Sequence, residues 1–267
     1  MNGLSKHIII VLLCVLGLSL QAQNVFQPKP IEYNLKGVVY ATESLFEIRP
    51  HLQGFTLAYK KGKLDSYYKT SYMSYEIGYM KDAQEKRQQI TGERIGDVSR
   101  NPFIYGKQSQ LFNLRVAYGQ KNYLSEKTRR KGVAVGWIYE IGGSLGLIKP
   151  YYVNVIRTSD DLVDRQVEAI RYSEENRDDF LDFDRIYGGT NFWKGFTEIT
   201  PTVGLHTKVG LHLGLGAFED KVKAVEVGVM MDVYPREIPL MVERNDISNS
   251  FFLAKLYASF QFGSRKL

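Results

Sequence analysis

The sequence predicts an all-β chain: a transmembrane antiparallel β-barrel of eight strands with two long extracellular loops. Three observations carry that expectation. Residues 197–216 alternate without a break, with Ile199, Val203, Leu205, Val209, Leu211, Leu213 and Leu215 set against Glu198, Thr202, His206, Lys208, His212 and four glycines. A period of two is the strand period, because successive strand side chains point to opposite faces. Second, no stretch after residue 22 is apolar for eighteen residues, so spanning helices are excluded. Barrels carry their membrane signal in alternation instead, which leaves mean hydropathy low, here −0.25. Third, the chain opens with Lys6, an apolar run from Ile8 to Leu20 and the small residue Ala22, the pattern of a cleaved export signal.

These features divide the chain into a signal peptide (1–22), a periplasmic N-terminal segment (23–43) holding Pro28 and Pro30, and an outer-membrane β-barrel (44–267). The formal charge is +6, and removal of the leader takes away Lys6 and no acid, leaving +5. An excess of that size, spread along the chain, gives no footprint for nucleic acid. The one cysteine, Cys14, lies inside the leader, so the mature chain has no disulfide and no thiolate metal site. Eighteen tyrosines suit interfacial girdles.

In order, the alternation of 44–61 changes phase at Gln53-Gly54. Phe46, Ile48, Pro50 and Leu52 share one face before that point, and Phe55, Leu57 and Tyr59 share a face after it. Such a flip means a bulge or a tight hairpin. Segment 67–80 sets Met73, Tyr75, Ile77 and Tyr79 against Thr70, Ser74, Glu76 and Gly78. A long polar loop (81–110) follows. Segment 111–119 then alternates Phe112, Leu114, Val116 and Tyr118 with Asn113, Arg115 and Ala117. A basic connection with Lys127, Arg129, Arg130 and Lys131 leads to 133–147, where Val135, Trp137, Tyr139 and Ile141 oppose Gly136, Glu140, Gly142 and Ser144. Residues 149–195 form the longest connection, acidic and helix-like around 162–170. Beyond the 197–216 strand, Val225, Val227, Val229, Met231 and Val233 alternate with Ala224, Glu226, Gly228 and Asp232. A loop through Pro235 and Pro239 precedes a last strand over 251–263. Single-chain bacterial barrels have even strand numbers, short periplasmic turns and long external loops. Splitting the first segment at Gln53-Gly54 gives eight strands and places 81–110 and 149–195 outside. Barrels of eight strands are filled by side chains.

The candidate site is the inward ionisable set Glu76, Arg115, Glu140, Glu198, His206, Lys208, His212, Glu226 and Asp232, read as a polar network in the lumen. Such groups must be paired, since unpaired buried charge is costly. A turn of Phe218-Glu219-Asp220 centred on Glu219 sets His212 opposite Glu226, His206 opposite Asp232 and Gly210 opposite Gly228. A rival reading is a proton-responsive or catalytic lumen, because histidine titrates near neutral pH. Gly142-Gly143-Ser144-Leu145-Gly146 matches the nucleophile-elbow pattern, but that elbow needs a strand-to-helix turn and here alternation runs straight through. Asp178, Asp179, Asp182 and Asp184 miss the EF-hand spacing, and Arg171, Arg177 and Arg185 interleave with them as in a solvated acidic loop. No metal and no cofactor is expected.

Several stretches resemble a family of outer-membrane β-barrel proteins from Bacteroidota. They are Tyr105-Gly106-Lys107-Gln108, Ser125-Glu126-Lys127 with Arg130-Lys131-Gly132-Val133, Lys149-Pro150-Tyr151-Tyr152, Tyr172-Ser173-Glu174-Glu175-Asn176, Arg185-Ile186-Tyr187-Gly188 and Phe260-Gln261-Phe262-Gly263. Where that family often shows His-Pro-Lys-Glu, this chain reads Lys81-Asp82-Ala83-Gln84-Glu85. The resemblance implies an outer-membrane location and a barrel fold, and supplies no reaction. The expected function is that of a structural or accessory subunit presenting its long loops. Its expected partners are outer-membrane lipid, other outer-membrane proteins and surface lipoproteins. The alternatives are a small pore or hydrophobic-ligand binder, which needs a gap in the lumen, and a barrel hydrolase or acyltransferase using Ser144 or the histidines.

Overall fold

The computed structural model describes residues 40–66, 68–90, 100–124, 133–158, 165–215, 220–244 and 248–267. The leader, positions 23–39 of the N-terminal segment and the basic run 127–131 lie outside the described residues.

Alternation becomes antiparallel pairing. The barrel strands are β1 (Thr42–His51), β2 (Gly54–Leu64), β3 (Lys69–Met80), β6 (Ser109–Tyr123), β7 (Ala134–Pro150), β11 (Thr200–Gly214), β12 (Lys221–Ile238) and β13 (Ser250–Lys266), with the smaller strands of the connections numbered between them. They close in the order β1-β13-β12-β11-β7-β6-β3-β2, so every neighbour is antiparallel and no edge remains open. The phase flip is a tight hairpin: His51 pairs with Gly54 across Leu52 and Gln53. Gly54 has φ 141°, and a Cβ there would lie 2.1 Å from the Tyr79 carbonyl oxygen, so only glycine fits.

The registers set the barrel's geometry. A path along paired residues runs Thr42, Lys63, Ser71, Gln120, Tyr139, Val209, Val229 and Leu256. Tyr257 pairs with His51, so Leu256 is level with Leu52, ten residues beyond the Thr42 start. A stagger of ten over eight strands gives a tilt of about 41° and a backbone radius of about 8 Å, narrow enough for side chains to fill.

The hairpin at Leu52-Gln53 and the connections after β3, β7 and β12 lie at one end. Two of these connections carry structure of their own. Residues 81–108 hold the short pair β4 (Arg87–Gln88) and β5 (Phe103–Ile104). Residues 151–199 hold a three-stranded sheet, β10-β8-β9, of β8 (Tyr152–Thr158), β9 (Arg165–Arg171) and β10 (Ile186–Gly189), with a single-turn helix Arg177–Leu181. The helix expected around 162–170 is therefore corrected: 165–170 pair as a strand, where Ile170, Val167 and Arg165 register with Val153, Ile156 and Thr158. Phe103, Val153, Val155, Ile170, Phe180, Ile186 and Val242 pack as one apolar cluster, making the connections a cap. Backbone links tie the cap to the barrel mouth, Gln108 N–H donating to the Leu240 carbonyl at 2.9 Å and Val242 N–H to that of Gly106 at 2.8 Å. The expected loop through Pro235 is also corrected: β12 continues to Ile238, with Pro235 exposed at its end, where no ladder hydrogen bond is needed.

Candidate functional site

The barrel inverts the usual placement of polarity. Inward residues of the eight strands include six acidic side chains (Glu43, Glu47, Glu76, Glu140, Glu226, Asp232), seven lysines and arginines (Arg49, Lys60, Arg115, Lys121, Lys208, Lys255, Arg265) and two histidines (His206, His212), all buried. Outward residues of the same strands, among them Ile48, Leu57, Ile77, Leu114, Ile141, Leu205, Leu211 and Phe260, are exposed and apolar.

Strand register assembles the network. Glu76 on β3 sits beside Arg115 on β6, Glu140 on β7 beside Lys208 on β11, and His206 beside Asp232 on β12. Toward the cap, Asp232 is the hub. Arg115 grips it with two bonds of 2.8 Å, His206 Nδ1 lies 2.8 Å from Oδ1, and Lys255 Nζ lies 3.2 Å from Oδ2. One level on, Arg49 binds both oxygens of Glu76 at 2.9 Å and turns its Nε to Glu47 at 2.8 Å. Lys60 reaches Glu47 (2.6 Å), Glu140 (3.2 Å) and Glu226 (3.4 Å), while Lys208 reaches Glu140 at 2.7 Å. His212 Nδ1 is 3.5 Å from Glu226. At the far end Glu43 holds Lys121 (2.6 Å) and Arg265 (2.8 Å). Tyr257 lies across the middle: Arg49 and Lys208 stand 5.1 and 5.6 Å from its ring centre. Room for that ring comes from the Gly210–Gly228 pair, since a Cβ on Gly210 would stand 2.6 Å from the Tyr257 hydroxyl.

Eight of the nine sequence-predicted residues meet in this lumen. Glu198 does not. The strand begins at Thr200, and Phe196–Glu198 form a 3₁₀ turn that carries Glu198 out to the cap. There it accepts a 2.6 Å hydrogen bond from Tyr152 and pairs with Arg171, partly exposed. The inward residues not singled out were Glu43, Glu47, Arg49, Lys60, Lys121, Lys255 and Arg265. The signal for Glu47 and Arg49 was present, since both alternate with outward Phe46, Ile48 and Pro50. Lys60 precedes Lys61, so composition there does not tell the inward base from the outward one.

The chemistry available is limited by this pairing. Ser144 Oγ lies 2.9 Å from the Tyr234 hydroxyl, and register sets Ser144 opposite Gly204 while His206 faces Gly142. Among the described residues His206 Nε2, the nitrogen that would activate a serine, has no hydrogen-bond partner. Among the described residues Glu76, Glu140 and His206 bring possible metal-ligating atoms within 4.8 Å of one another. Arg49 and Lys208 already neutralise both carboxylates, which leaves the site poorly suited to a cation. In the cap, Lys107 pairs with Glu85 at 2.7 Å, and burial holds its ammonium below the ordinary lysine range although Glu85 pulls the other way. Asp179 and Asp182 of the acidic loop pair with Arg185 at 2.6 and 3.1 Å.

Comparison with known proteins finds no family model, no curated protein and no solved structure that matches this chain.

Proposed function

We propose that the chain is an integral outer-membrane β-barrel whose lumen is a structural plug and whose cap is displayed at the cell surface as a docking platform. The observation that carries this reading is the inverted polarity: paired charges fill the inside, and a continuous apolar wall faces out. In water such a wall would far exceed the few hundred Å² of apolar patch that soluble monomers expose.

The height of the wall supports the same reading. At the cap end, outward aromatics form an arc in which Phe55 and Tyr79 rings are 6.2 Å apart, Tyr79 and Phe112 5.3 Å, and Phe112 and Phe192 6.5 Å. At the other end Trp137 stacks on Tyr139 at 5.3 Å. Phe112 pairs with Leu147, and Trp137 lies ten residues earlier on the same strand. At about 3.3 Å per residue and a tilt of about 41°, that is about 25 Å, the height of an outer-membrane apolar band. The leader predicted from residues 1–22 and the resemblance to outer-membrane barrels of Bacteroidota are consistent with the same location. A charge-filled lumen favours a structural or accessory role over a pore, and the missing serine contact at His206 argues against a hydrolase. Surface proteins and lipoproteins are the partners this display suits.

The test is expression of the whole chain in a Gram-negative host, followed by membrane fractionation and electrophoresis with and without boiling. Recovery in the outer membrane with a faster-migrating unboiled band is expected. Folded protein recovered from the soluble periplasm would overturn the proposal.

A further inference from the structure

Where β7 leaves the barrel wall, Lys149 has only 2% of its surface exposed. Among the described residues no carboxylate lies within ion-pair range of it. Its ammonium stands 5.1 Å and 5.2 Å from the ring centres of Phe192 and Phe196. Two aromatic faces offset part of the cost of a desolvated cation, and an anion is still lacking.

The segment covering Lys149 has an unusual surface. Phe192, Trp193 and Phe196 are 49%, 71% and 38% exposed, although their rings contact one another at 5.3–5.7 Å. Between them Lys194 is exposed and stands 5.2 Å from the Tyr152 ring centre, and among the described residues no carboxylate lies in ion-pair range of it. The turn is held from within: the Asn191 side chain accepts from Trp193 N–H at 3.1 Å, and Gly195 takes φ 85°. Phe112 joins this knob to the outward aromatic arc of the wall.

We propose that this knob is a lipid site, in which exposed Lys194 holds the phosphate of an outer-leaflet lipid headgroup, buried Lys149 adds a second positive charge beneath it, and Phe192, Trp193 and Phe196 lie against the start of the acyl chains. The inference rests on the membrane reading above. Its position continues the apolar wall at the cap end, where headgroups begin, and aromatic residues with lysines suit that depth. Two lysines without acids supply the complementary charge, each contributing about fivefold in binding to an anionic surface.

The chain has two tryptophans, Trp137 and Trp193, at opposite ends of the wall. Full-length Trp137→Phe and Trp193→Phe proteins, each with one fluorophore left, are reconstituted in vesicles of brominated phosphatidylcholine with and without phosphatidylglycerol. Native mass spectrometry of the detergent-extracted protein then reads the lipid retained. We expect both fluorophores to be quenched, phosphatidylglycerol to be retained over phosphatidylcholine, and Lys149→Met to lower that preference about fivefold. Lys194→Gln, at an exposed position, gives the same test should Lys149→Met not fold. Quenching of Trp137 alone overturns the lipid site and leaves the membrane reading standing, whereas quenching of neither overturns the membrane reading. Equal retention of the two lipids, or displacement of the lipid by inorganic phosphate alone, also overturns the proposal.

Discussion

His206 and Asp232 face each other directly across β11 and β12, with Nδ1 of the imidazole 2.8 Å from Oδ1 of the carboxylate. The same carboxylate accepts from Nε and Nη2 of Arg115 and from the ammonium of Lys255, while Nη1 of Arg115 turns to Glu76. One acid thus joins three side chains contributed by β6, β11 and β13.

Asp232→Asn should therefore be strongly destabilising, by about 3–5 kcal/mol, because Arg115 and Lys255 remain buried without their counter-charge. Thermal loss of the folded, fast-migrating band measures it. The double variant Asp232→Asn/Arg115→Met should recover part of the loss, since the two residues are directly coupled. A single variant as stable as the parent would show that Asp232 is not the hub.

Depth on the outer wall should set the cost of a new charge. Leu205 is 65% exposed and pairs with Gly143 near mid-height, whereas Leu215 lies just past the end of β11. An Arg near the bilayer midplane costs about 2–4 kcal/mol, and about 0–1 kcal/mol near an interface. Leu205→Arg should impair assembly and Leu215→Arg should not. Equal tolerance of both, measured as folded protein in the membrane fraction, would contradict insertion.

The cap should face outward from the cell. The chain's one cysteine lies in the predicted leader, so single cysteines can be placed at exposed Asp184 in the cap and exposed Ser66 at the opposite end. A membrane-impermeant maleimide added to intact cells should label Asp184→Cys and spare Ser66→Cys. The reverse pattern would invert the topology and remove the docking role.

Within the cap, Lys107 and Glu85 form a buried pair with side chains 0% and 2% exposed. Lys107→Met should expose the cap to limited proteolysis by leaving Glu85 unpaired, and Lys107→Met/Glu85→Gln should protect it again. If the double variant is cut as fast as the single one, the pair is not what holds this part of the cap.

A filled lumen should pass no current. Planar bilayers containing the purified protein should show no steady conductance, and a stable open level would contradict the plug and restore the pore reading.

The sequence by itself determined the eight barrel strands, their faces and the break between the first two at Gln53-Gly54. Side-chain direction in a strand is local and alternates with every residue, so Leu205, Val209 and Leu211 report the outer wall without any partner. Parity of the inward residues, with the expected turn centred on position 219, also predicted the β11–β12 register that sets His206 against Asp232 and His212 against Glu226. Tertiary structure alone decided which charges meet across the lumen. Arg49 and Glu76 are 27 positions apart, and Arg115 and Asp232 are 117 apart. Those contacts cross one or two intervening strands, so they depend on the registers of several pairings and on the curvature of the closed barrel, which no local pattern carries. Glu198 and the 165–170 segment misled for the converse reason. Glu198 continues the alternation of its strand, but the 3₁₀ turn at Phe196–Glu198 ends the strand before reaching it. Residues 165–170 extend only because Tyr152–Thr158 supplies backbone partners, and a ladder hydrogen bond belongs to two segments and is visible in neither alone.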